Sequence, residues 1–194
     1  MLSLAPAYIP LIQKPTCCAV TCLQMILYRN GYGLFDQEKL AVHFGVKIAA
    51  EDARAFRADM PTMTQQNFDE GIQTVELVAP INAFFAAHTP GLTARRVRAG
   101  SVGKLDDFLR ENLANNRDIW IEYHGHEIYG WDLYKGDYIH DSLIESFDPA
   151  RAEATIVDPL PQHRQRELFP LAMMERAISK RFGRETGFIV VEKS

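Results

Sequence analysis

From Cys18 to Tyr28 the chain reads CAVTCLQMILY, apolar nearly all round, and Arg29, Asn30 and Gly31 close it with residues suited to a left-handed cap. This pattern predicts a buried helix. Pro15 and Thr16 suit its start, with the threonine as cap, so Cys17 and Cys18 fall in the first turn. Asp36 caps a second, shorter helix, QEKLAVHF, which Gly45 ends. Ala49 to Gly71 keeps no sustained period and reads as an irregular insertion with about one helical turn. Ile81, Phe84 and Phe85 predict a helix from near Pro80 to Pro90, Leu92 to Arg98 an edge strand, and Leu105, Phe108, Leu109 and Leu113 a helix between Ser101 and Asn115. Beyond Asp118 β-branched and aromatic residues dominate DIWIEYHGHEIYGW, YIHDSLIESF, ATIVD and GFIVVEK, which predict four strands. A last helix, Phe169 to Phe182, precedes the final strand.

Helices crowd the first half and strands the second, the order of an α+β domain with an antiparallel sheet rather than of alternating parallel units. A chain of 194 residues fits one such domain, with a helical half over about 1–116 and a sheet half over about 117–194. A composition 47% hydrophobic and 24% charged excludes disorder, and a net charge of −4 without a long basic run argues against a nucleic-acid partner. No apolar run approaches the roughly 18 residues of a membrane span, and the first cation is Lys14, so neither a membrane anchor nor a secretory signal is expected and the location reads as cytoplasmic. The three cysteines, Cys17, Cys18 and Cys22, lie too close together to staple distant segments, which excludes a disulfide framework. A closed zinc site needs four ligands, and no CxxC or HxxxH pair supplies the rest. Glu122, His124 and His126 alternate on one predicted strand face but lack a fourth ligand and read as a polar strand end, so no metal or cofactor is expected.

A cysteine in the first turn of a helix meets free backbone N–H groups and the positive end of the dipole, which favour thiolate. Its usual partner is an imidazole held by a carboxylate or amide. His140 in YIHDSLIESF and Asp158 at the end of ATIVD offer that pair: a hairpin turning near Asp148, Pro149 and Ala150 sets residue 140 close to 158. Pro159 biases Asp158 toward extended backbone. Asp141 points to the sheet face opposite His140 and Asp148 sits at the turn, so neither is the better orienter. Cys22 reads as core, and His43, His88 and His163 as solvated surface.

The motif PTCCAVTCLQM, followed far downstream by YIHDSLIESF and TIVDP, resembles the papain-like cysteine peptidases that remove double-glycine leaders from bacteriocins, and their stand-alone relatives. The resemblance covers about two thirds of the chain and implies a papain-like fold with the nucleophile helix packed on an antiparallel sheet. It implies Cys18 as nucleophile, His140 as base and Asp158 as its orienter. Gln13 becomes the oxyanion-hole amide, one position nearer the cysteine than in the family's pattern, and Ala19 stands where the family has glycine. The expected activity is cysteine peptidase or amidohydrolase chemistry on a peptide, amide or thioester substrate. An acyltransferase with the same residues and a catalytically silent binding domain of the same fold are the alternatives.

Overall fold

A computed structural model describes residues 1–63, 77–130, 139–179 and 186–193. The predicted buried helix is α1 (Cys18–Arg29), enclosed on nearly every side, and Gly31 beyond it takes a left-handed φ of 88°. Its start departs from the expectation. Thr16 does not cap it: the residue is itself left-handed, at φ 57°, and its hydroxyl donates to the Pro15 carbonyl at 2.7 Å, so Cys17 becomes the cap residue without a side-chain bond. Asp36 caps α2 (Gln37–His43) as expected, accepting from the N–H groups of Glu38 and Lys39. The irregular stretch holds a 3-10 turn at Ala50–Ala55, and residues 64–76 lie outside the described ones. Helix α3 (Val78–His88) buries Ile81, Phe84 and Phe85, and α4 (Leu105–Ala114) buries Leu105, Leu109 and Leu113.

Among the described residues seven antiparallel strands form one sheet: β1 (Leu2–Ser3), β2 (Leu92–Arg98), β3 (Asp118–His124), β4 (Ile139–Asp148), β5 (Glu153–Val157), β6 (Arg166–Pro170) and β7 (Gly187–Lys193). Their order is β2-β7-β3-β4-β5-β6, with β1 added to β4, so β2 is the edge strand its position in the sequence suggests. Two elements differ from the sequence pattern. The expected strand 118–131 stops at His124 and turns into α5 (Gly125–Tyr129), which packs on α6 (Leu171–Ala177). His126 therefore leaves the strand, and its alternation with Glu122 and His124 does not exist. The expected helix from Phe169 begins at Leu171, because Phe169 and Pro170 end β6, a strand that buries one residue in five and so carries no readable alternation; residues 180–182 of that helix lie outside the described ones.

Two polar clusters hold α1 in place, one against the sheet and one against α2. Arg29 at its end pairs with Asp118 of β3 at 2.9 Å, both side chains all but inaccessible, and Asp118 also accepts from the Tyr8 hydroxyl at 2.6 Å and Asn30 at 2.8 Å. At the other end Lys14 reaches Glu38 of α2 at 2.8 Å, which ties the segment before α1 to α2. Trp120, Tyr123, Phe147 and Phe188 fill the core on the strands. Among the described residues no helix is long and apolar enough to cross a membrane.

Candidate active site

Cys18 is the first residue of α1 and is half-buried, while Cys17 and Cys22 are inaccessible. Asp141, the third residue of β4 and the one after His140, lies against it: the Cys18 Sγ donates to Asp141 Oδ2 at 3.5 Å. The other oxygen of Asp141 accepts from the Trp120 indole at 2.7 Å. Arg29 pairs with Asp118 on β3, and Asp118 and Trp120 share one face, so α1 covers the face into which Asp141 points. The side chain hydrogen-bonded to the thiol is therefore Asp141 rather than His140.

This placement reverses the expected direction of the thiol's acidity. Burial pushes the Cys18 pKa up, and the Asp141 carboxylate pushes it further, against the backbone N–H groups of Asp141 and Ala19, which favour thiolate. The neighbouring Cys17 is pushed up to about 12 by burial. At rest the thiol keeps its proton.

His140 and Asp158 come together, with Nε2 and Oδ1 2.9 Å apart and both side chains inaccessible. The route differs from the simple hairpin. The turn spans Pro149 to Ala152, centred beyond Ala150, so Leu143 opposes Val157 and Asp158 lies level with Ser142, two residues past His140. The imidazole leans along the strand to reach it. Asp158 also accepts from the Tyr129 hydroxyl at 2.6 Å, the Tyr123 hydroxyl at 3.1 Å, His163 Nδ1 at 3.1 Å and the Leu160 N–H at 2.8 Å. Burial would raise its pKa, but His140 beside it and the bonds from His163 and Tyr129 hold it well below the usual carboxylate range.

His163, expected on the surface, is instead enclosed: its side chain is 3% exposed and its ring stacks on Tyr129 at 3.5 Å between centroids. No periodicity marks it, because it lies in a loop. Its one sequence signal is its nearness to the Asp158–Pro159 pair. Gln13 is also buried; its N–H donates to the Pro159 carbonyl at 2.9 Å, which brings the segment before α1 beside the end of β5. Its side-chain Oε1 has no hydrogen-bond partner among the described residues.

No family model matches the chain, and no curated protein matches it either. Among solved structures, a Bacillus anthracis protein provisionally named a C39-like peptidase is 19% identical, covers 100% of this chain and 98% of its own, and superposes with a TM-score of 0.60. A double-glycine motif protease from an AMS/PCAT transporter, solved with its leader peptide, is 14% identical over 98% of this chain and 96% of its own, at a TM-score of 0.46. The chain has the α+β, papain-like fold of the C39-like structure it matches end to end, with α1 on an antiparallel sheet, as the sequence resemblance implies.

Proposed function

We propose that the protein is a papain-like thiol hydrolase of peptide or amide bonds, with Cys18 as nucleophile, His140 as base, Asp158 as the residue that orients the imidazole, and Gln13 with the Cys18 N–H as oxyanion donors. The observation that carries the reading is the position of the thiol: it is hydrogen-bonded to Asp141, the residue that follows His140 on β4, and His140 is itself bonded to a buried aspartate. Gln13 is buried, and its backbone N–H bond to the Pro159 carbonyl at 2.9 Å sets it beside the strand end that carries Asp158.

Because Asp158 engages Nε2, Nδ1 of His140 is the nitrogen left for proton exchange; the imidazole lies on the sheet face opposite Asp141 and Cys18, so the exchange requires it to turn toward the thiol around the start of β4. The Sγ proton passes to that nitrogen as sulfur attacks the substrate carbonyl carbon, and the carbonyl oxygen takes the negative charge against Gln13 and the Cys18 N–H. Collapse breaks the C–N bond, and the leaving amine takes the proton from His140. Water then gives a proton to the imidazole, attacks the thioester and releases acid and thiol. Asp141 opposes a standing thiolate, so the proton moves with the attack rather than before it.

The test supplies peptides, acyl thioesters and amines and identifies by mass spectrometry what leaves the acyl-enzyme. Peptide or amide cleavage that Cys18→Ala abolishes supports the reading. Acyl transfer to an amine without cleavage makes the protein a transferase, and no adduct with any substrate makes it a silent domain.

A further inference from the structure

Asp158 holds more partners than the orientation of one imidazole requires. His140 arrives from the start of β4 and His163 from the loop after β5, and their rings stand at 86° to each other with centroids 6.2 Å apart, both directed at the one carboxylate. The three ligand atoms of His140, Asp158 and His163 lie within 4.8 Å of one another. We propose that these residues form a binding site for a divalent transition-metal ion of the zinc class.

The ligand atoms are already gathered. Zinc takes imidazole nitrogen and carboxylate oxygen at roughly 2.0–2.2 Å in a tetrahedron, which separates ligand atoms by about 3.3 Å. The nitrogens lie 2.9 and 3.1 Å from the two different oxygens of Asp158, and all three ligand atoms lie within 4.8 Å, so the two rings draw in toward one carboxylate oxygen to admit the ion. Surrounding groups already orient the ligands: the Tyr129 hydroxyl and the Leu160 N–H hold the carboxylate, and the Tyr129 ring lies flat against His163. Both imidazole nitrogens now donate to the carboxylate, and a metal requires their lone pairs. On binding, each proton moves through solvent to the other nitrogen of its ring. Three protein ligands leave a fourth position for water, the arrangement of an exchangeable site rather than a closed structural one.

The binding stands apart from the proposed activity, but its consequence rests on that reading: an ion that engages His140 withdraws the base from Cys18, so the metal is an inhibitor. The experiment titrates untagged Cys18→Ala protein, which lacks the thiol as a competing ligand, with zinc chloride by calorimetry, alongside Cys18→Ala/His163→Gln with its circular dichroism checked. One ion per chain, bound at least about tenfold more weakly by the double variant, supports the site. No binding by Cys18→Ala, or equal binding by both, overturns it. In parallel, zinc is added to the wild-type chain and to His163→Gln during turnover. Inhibition at least about tenfold weaker in His163→Gln supports the regulatory role, and equal inhibition overturns it. Zinc binding that depends on His163 in a protein with no turnover on any substrate keeps the site and removes the hydrolase reading alone.

Discussion

Replacing Asp141 by Asn should make Cys18 more reactive, not less. The carboxylate sits 3.5 Å from the sulfur. Two unit charges at that separation repel by about 1 kcal/mol with water-like screening and about 5 kcal/mol at the effective dielectric constant of a protein surface site. Cys18 is half-buried, so the lower part of this range applies, and removal of the charge should lower the thiol pKa. Asn keeps an oxygen for the Trp120 indole and presents an N–H to the sulfur, so the local structure persists. Each 1.4 kcal/mol of repulsion removed gives about tenfold more thiolate at neutral pH, and the loss of intrinsic nucleophilicity cuts the gain in rate to about threefold. Alkylation by iodoacetamide at pH 7 should therefore rise about three- to tenfold, with the inflection of its pH–rate profile shifted down. An unchanged or slower rate in a variant with native circular dichroism would refute the reasoning, and a slower one would make Asp141 the group that takes the thiol proton.

Other consequences concern the frame around the site. Gly187 has a φ of 158°, and a β-carbon there would run into the Val97 carbonyl and lie 2.9 Å from the Ala99 nitrogen, so Gly187→Ala should lower the urea midpoint by separating β2 from β7. Arg29→Ala strands Asp118 in the core and should cost about 3–5 kcal/mol in equilibrium unfolding, whereas Arg29→Met with Asp118→Leu should recover much of it. The Glu38 carboxyl is lowered from 4.5 to about 2, first by the Lys14 ammonium and then by the N–H groups of Ala58 and Arg57, against burial. A lowered native pKa stabilises the fold above the unfolded value and loses that contribution as pH falls through the folded one, so Glu38→Gln should flatten the stability profile between pH 4.5 and 2. Thermal melts across that range check it.

How far the sequence carried these conclusions depends on the range of the interaction. Helix α1 was legible because its apolar run and closing Asn–Gly pair are local, and the same holds for Asp36 as a cap and for the hydrophobic strands β3, β4, β5 and β7. The divergence of His140 and Asp141 followed from strand parity, and their separate partners, Asp158 and Trp120, agree with it. The face on which α1 lies was not legible, since the Arg29–Asp118 pair that decides it joins residues far apart in sequence. Hence Asp141 went unnoticed as the thiol's neighbour. The enclosure of His163 was equally hidden: it depends on Tyr129, which sits where the pattern HEIYGW suggested a continuing strand but the chain forms α5. β6 escaped because it is a short strand that, among the described residues, pairs with β5 alone at the edge of the sheet.

The central claim is that Cys18 is the nucleophile of a thiol hydrolase, and the most direct measurement is covalent labelling with a peptide-based, carbonyl-like electrophile, followed by digestion and mass mapping of the three cysteines. The account predicts a single adduct on Cys18, formed at a rate that His140→Ala lowers by about 10²-fold or more while the fold is retained. An adduct on Cys17 or Cys22, or labelling of Cys18 no slower without His140 than with it, would contradict the account.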